Sequence, residues 1–249
     1  MFQVYAPEEI AIIFAVYLLA ASAKGVTGLG FSTVCLAPLA ITVGLKATLP
    51  LLIIPSISSN LLVMAGAGEF RPTIRRFWPM LMATLPGLLL GLWLLSTVDG
   101  VMAGAALGVV LIAWCLFAFA KPELKLPPRL ERPLAPVSGF LTGAVNGLTG
   151  SQVMPSMPYL MALPLSRDMF IQAINLSFTL SSLVMAVGLT RLGLMTVEAV
   201  VISTIGIACV WAGIRLGERV RSRLSPEQFR LAVLVMLTLL GAVLIVRAI

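Results

Sequence analysis

The chain has 249 residues, of which 59% are hydrophobic and 11% charged, and a mean hydropathy of +1.06, whereas a soluble domain carries roughly 25% charged residues. A water-soluble globular domain is thereby excluded, and with no histidine and only the isolated cysteines Cys35, Cys115 and Cys209 there is no donor set for a conventional zinc or copper site. The net charge of +7 does not point to nucleic acid, because the bases lie mostly in short connectors between apolar runs, as in the cytoplasmic loops of membrane proteins.

The N-terminus, MFQVYAPEE, has no lysine or arginine and carries Glu8 and Glu9, so it reads as the start of a first span and not as a cleaved signal peptide. Apolar segments follow at about 5–24, 28–44, 47–67, 77–97 and 100–120, and then at 134–150, 152–164, 168–189, 195–216 and 227–247. Several reach the roughly 20 residues that cross about 30 Å of hydrocarbon. The fold class expected is an all-α polytopic membrane protein. Between the two sets of five lies KPELKLPPRLERP, residues 121–133, whose prolines and mixed charges mark a linker. Residues 1–120 and 134–249 are then two membrane repeats.

The sets resemble each other. Lys24-Gly-Val-Thr-Gly28 matches Asn146-Gly-Leu-Thr-Gly150, and Leu-Val-Met-Ala recurs at 62–65 and 183–186. In the first set the base-rich connector is 69–76, with Arg71, Arg75 and Arg76; in the second it is 215–223, with Arg215, Arg219, Arg221 and Arg223. Equivalent connectors therefore fall on opposite faces, and the repeats are expected to be inverted, with the linker inside and both termini outside. Broken or re-entrant segments are expected near the midplane.

The residues that expose a site are those no continuous membrane helix would choose. Gly139, Gly143, Gly147 and Gly150, then Pro155 and Pro158, weaken helical hydrogen bonding, while Asn146, Thr149, Ser151 and Gln152 place polar groups at membrane depth. Such backbone survives only where protein buries it or where it lines a wet cavity. The first set repeats the pattern with Thr27, Gly28, Gly30, Ser32 and Thr33 ahead of Pro38. If each break leaves the next helix with unbonded amides, the two ends attract an anion, and these hydroxyls and amides add donors. For Gly139, Gly143 and Gly147, spaced four apart, close helix packing is the competing explanation.

Two polar stripes rank second: Ser56, Ser59 and Asn60, and Gln172, Asn175, Thr179 and Ser182, both facing the bundle interior. Lys24 is the sharpest single residue, since a mid-span lysine costs about 2.5 to 3.5 kcal/mol and needs a partner. It either meets an anionic solute or snorkels to the interface.

Taken together, Lys24–Pro38 (KGVTGLGFSTVCLAP), Gly139–Leu160 and the glycine-bearing stretch Gly206–Arg223 resemble the sulfite exporter TauE/SafE family of membrane permeases. The resemblance implies movement of small sulfur-containing anions, such as sulfite or organosulfonates, across the bacterial inner membrane. The residues themselves reach only to a small anion. No carboxylate lies mid-span, so export driven by the membrane potential, worth about 2.3 kcal/mol per 100 mV, needs no coupling proton. The substrate and the lipid bilayer are the partners expected, with no nucleic acid and no cofactor, and a homo-oligomer is left open. A carrier for a carboxylate-bearing or zwitterionic solute and a non-transporting scaffold are the alternatives; an enzyme is not expected, for want of a nucleophile and base.

Overall fold

Residues 5–27, 30–120, 123–220 and 226–248 are described in the computed structural model, and among them are ten α-helices and no strand. In chain order these are α1 (Pro7–Thr27), α2 (Phe31–Val43), α3 (Leu45–Ala67), α4 (Phe70–Thr97), α5 (Gly100–Ala120), α6 (Pro128–Thr149), α7 (Ser156–Met161), α8 (Arg167–Arg191), α9 (Val197–Val220) and α10 (Pro226–Val246). The helices α1, α3, α4, α5, α8 and α9 are long and apolar enough to cross a membrane. By contrast α2, with 13 residues, and α7, with 6, reach only about 20 and 9 Å at 1.5 Å per residue. Gly28 and the bases Arg221 and Arg223 lie outside the described residues.

Ten apolar segments become ten helices, but two begin earlier than hydropathy alone suggests. Helix α4 starts at Phe70 and takes in Arg71, Arg75 and Arg76, while α6 starts at Pro128, within the stretch read as linker. Proline is well placed in a first turn, where its missing amide has no intrahelical partner to lose. The two early turns are joined by an ion pair, with the Arg76 guanidinium 2.6 Å from a Glu131 carboxylate oxygen.

Packing pairs the helices reciprocally. The most extensive contacts are α4 against α6 and α1 against α9; α3 also meets α9, α8 meets α4, α5 meets α10, and α3 lies against α8. Between α4 and α6 the backbones touch directly. A Cβ added at Gly139, Gly143 or Gly147 would lie 2.0, 2.2 or 2.4 Å from the carbonyl oxygens of Met80, Thr84 and Leu88. The α1–α9 contact is built in the same way, with added Cβ atoms at Gly25 and Gly217 falling 2.3 and 2.1 Å from the carbonyl oxygens of Ile214 and Ser22. The spaced glycines of α6 therefore serve helix packing.

The outer surface is greasy: Leu89, Trp93, Leu116, Val187 and Leu239 are all exposed, as suits side chains that face acyl chains. Polar residues go inward instead. Ser56, Ser59 and Asn60 of α3 and Gln172, Asn175, Thr179 and Ser182 of α8 are all buried, so both stripes face the protein interior.

Candidate functional site

The first break delivers Ser32, in the first turn of α2, to Ser56 of α3, with their hydroxyl oxygens 2.6 Å apart. At the second break the Gln152 amide donates to the Ser182 hydroxyl of α8 at 3.2 Å. Ser32, Ser56, Asn146, Gly150, Gln152 and Ser182 line one pocket of about 20 Å³, closed on its apolar side by Leu49, Leu52, Ile53 and Met185. That volume holds about one water molecule. Each break and each polar stripe thus contributes at least one residue to a single spot.

The pocket is polar beyond its own needs. The Asn146 amide nitrogen and the Gln152 carbonyl oxygen are buried with no hydrogen-bond partner, as is the neighbouring Ser151 hydroxyl. A buried polar group left unpaired costs on the order of 1 to 3 kcal/mol. Gly150 shapes the wall: its φ is 77°, and a Cβ there would lie 2.4 Å from a Leu49 methyl carbon. Only glycine suits both the left-handed backbone and the space.

Unbonded amides in the first turn of α7, expected from the sequence, are not found. The Ser151 amide donates to the Thr149 hydroxyl at 3.2 Å, the Ser156 amide to the Thr142 hydroxyl at 2.9 Å and the Met157 amide to the Val153 carbonyl at 3.0 Å. The third residue of α7 is Pro158, which has no amide hydrogen. Thr149 in turn donates to the Val145 carbonyl at 2.7 Å. In the break itself the amides of Gln152, Val153 and Met154 have no hydrogen-bond partner among the described residues. At the first break Gly30, with φ 91°, caps α2, whose first bonded amide is Val34, and the turn before it has no intrahelical acceptor.

Lys24 does not snorkel outward. It is 2% exposed, and its ammonium donates to the Ser59 hydroxyl at 3.2 Å and to the Asn60 side-chain carbonyl, both on α3. Ser59 donates onward to the Ser56 carbonyl at 2.9 Å, so one turn of α3 separates Lys24 from the pocket. Neither partner is charged, and a buried cation without a counter-ion is costly. Lys24 also borders a cavity of about 250 Å³ reached by Arg167, Asp168 and Glu218.

The other expected residues are placed elsewhere. Thr27, Gly30 and Thr33 line an apolar cavity of about 330 Å³ with Trp114, Phe178 and Leu237. Gly147 packs on α4. Gln172 and Asn175 are buried on α8 but do not line the polar pocket; the Asn175 amide donates to the Ile171 carbonyl at 2.8 Å, and the carbonyl oxygens of both side chains are unpartnered. Ser56 and Ser182, visible in the sequence only as members of stripes, prove to be pocket walls. Thr142 was not singled out; its signal is a hydroxyl one turn before Asn146. No cluster able to hold a metal ion occurs among the described residues.

The family model described as sulfite exporter TauE/SafE matches residues 13–244. No curated protein and no solved structure matches the chain. A match running from α1 into α10, over helices built to cross a bilayer, makes this chain a multi-pass membrane protein of the sulfite exporter TauE/SafE family, whose members are transporters of sulfur-containing anions and not enzymes.

Proposed function

We propose that the protein exports a small sulfur oxyanion, sulfite or a compact organosulfonate, through the polar pocket between the two helix breaks. The observation that carries this reading is the Asn146 amide, a buried donor with no partner on a residue that lines one space with Ser32, Ser56, Gln152 and Ser182. Hydroxyls and amides in a buried site suit the oxygens of an anion, to which each can donate.

At about 20 Å³ the pocket is too small for such a solute, so the described conformation is a closed one and transport requires the walls to separate. Alternating access between two inverted halves supplies that movement. The reciprocal packing of α1 on α9 and α6 on α4 supports the inverted arrangement. With the base-rich connectors in the cytoplasm, the Lys24 cavity opens inward, because it is lined by Gly66 and Ala67 at the end of α3 and by Glu218 near the end of α9. An anion entering from the cytoplasm meets Lys24 first and the pocket one helical turn later. The setting is the bacterial inner membrane, with both termini outside.

Sulfite binding to the purified protein, measured by calorimetry, is the direct test. Asn146→Leu should weaken it at least tenfold while leaving the fold intact, since a hydrogen bond to a charged group contributes about 1.5 to 3 kcal/mol. Undiminished affinity in folded protein, or displacement by amino acids but not by sulfonates, would remove the reading. In proteoliposomes efflux should follow an imposed potential and ignore a pH gradient.

A further inference from the structure

On the face where α4 and α6 begin there is a second polar space, unrelated to the pocket. It is a groove of about 600 Å³ bordered by Arg75, Arg76, Trp78, Glu131, Arg132 and Tyr159. Arg76 is committed to Glu131, which its two guanidinium nitrogens meet at 2.6 and 3.0 Å. Tyr159 is committed as well, donating to the Glu131 backbone carbonyl at 2.9 Å. Arg75 and Arg132 remain: each is exposed, and neither has an ion-pair or hydrogen-bond partner among the described residues. The groove therefore offers two uncommitted guanidinium groups over a floor that is already internally satisfied.

Its position fixes what it can meet. Arg75 and Arg76 are the last charges before the uncharged run from Phe77 to Val98, so they stand at the boundary between water and hydrocarbon. From the groove's edge an exposed apolar stripe, Trp78, Met82 and Leu89, continues along α4 at helical spacing. A paired guanidinium cradle suits a phosphodiester, and the stripe below suits an acyl chain. Neither inorganic phosphate nor an acidic peptide uses both parts.

We propose that this groove is a binding site for the headgroup of an anionic phospholipid, held by Arg75 and Arg132 with one chain lying along Trp78 and Met82. The site is separate from the transport pocket and stands whether or not that pocket carries sulfite.

The full chain in detergent micelles, titrated with phosphatidylglycerol, phosphatidylcholine or free glycerol phosphate and read by native mass spectrometry, tests it. Phosphatidylglycerol should be retained as a single tight adduct, with the double variant R75Q/R132Q binding on the order of thirtyfold more weakly and R75K/R132K, which keeps the charge and loses the planar fork, falling between the two. Equal retention of phosphatidylcholine, undiminished retention by R75Q/R132Q, or glycerol phosphate held as tightly as the lipid would each overturn the proposal. A variant that leaves both arginines in place gives a second reading. Phosphatidylglycerol brominated in its chains should quench tryptophan fluorescence more than brominated phosphatidylcholine does, and Trp78→Phe should abolish the difference; a difference that survives the substitution overturns the proposal too.

Discussion

The ammonium group of Lys24 on α1 is held by the side-chain carbonyl of Asn60 on α3, with both residues almost wholly buried and no carboxylate in the contact. An amide can orient a cation but cannot neutralise it. In the proposed transport this is the group that an anionic solute would meet.

Lys24→Met should therefore weaken sulfite binding by roughly ten- to a hundredfold, in line with about 1.5 to 3 kcal/mol for a charge-assisted hydrogen bond. Lys24→Met should change thermal stability in detergent little, because the lost desolvation cost of the buried charge is offset by the orphaned Asn60 carbonyl. Calorimetric titration and thermal unfolding of the same preparation separate the two effects.

Gly143→Ala should destabilise the protein by about 1 to 3 kcal/mol or more through overpacking, since the new methyl carbon would sit 2.2 Å from the Thr84 carbonyl oxygen. Gly104→Ala should be tolerated, its nearest neighbour being a Leu244 methyl carbon 3.7 Å away. Unfolding midpoints of the two variants provide the comparison.

Thr142→Val keeps the shape of the side chain and deletes the acceptor of the Ser156 amide, a bond of 2.9 Å. An orphaned buried amide costs about 1 to 3 kcal/mol. Hydrogen exchange at α7 should accelerate in this variant while α3 and α8 stay protected.

The ion pair between Arg76 and Glu131 is partly solvent-exposed, with side chains 31% and 21% exposed. A double-mutant cycle with Arg76→Gln and Glu131→Gln should yield a coupling of no more than about 1 kcal/mol. The coupling should shrink further as ionic strength rises.

Much of this architecture is legible in the sequence because the bilayer imposes simple demands. Charge-free runs give the spans, glycine and proline give the interruptions at Gly30 and Gly150, and the i, i+3, i+4 spacing of Ser56, Ser59 and Asn60 gives an inward face. Helix starts at Phe70 and Pro128 are not legible from hydropathy, because Arg71, Arg75, Arg76, Arg129, Glu131 and Arg132 lower it while leaving helix formation undisturbed. The fate of individual amides is equally hidden. That Thr142 would take the Ser156 amide depends on how α6 and α7 meet across fourteen residues, a tertiary fact with no local signature. The separation of Ser32 from Thr33, one in the polar pocket and the other in the apolar cavity, follows from the turn of a single helix.

Glycine lets α4 and α6 meet backbone to backbone, and lets α1 and α9 do the same. With no side chains there to rotate out of the way, each couple is a stiff lever. In the proposed alternating access, deformation would fall to the seam where α3 lies on α8, whose small hydroxyl-bearing residues could trade partners as the seam parts.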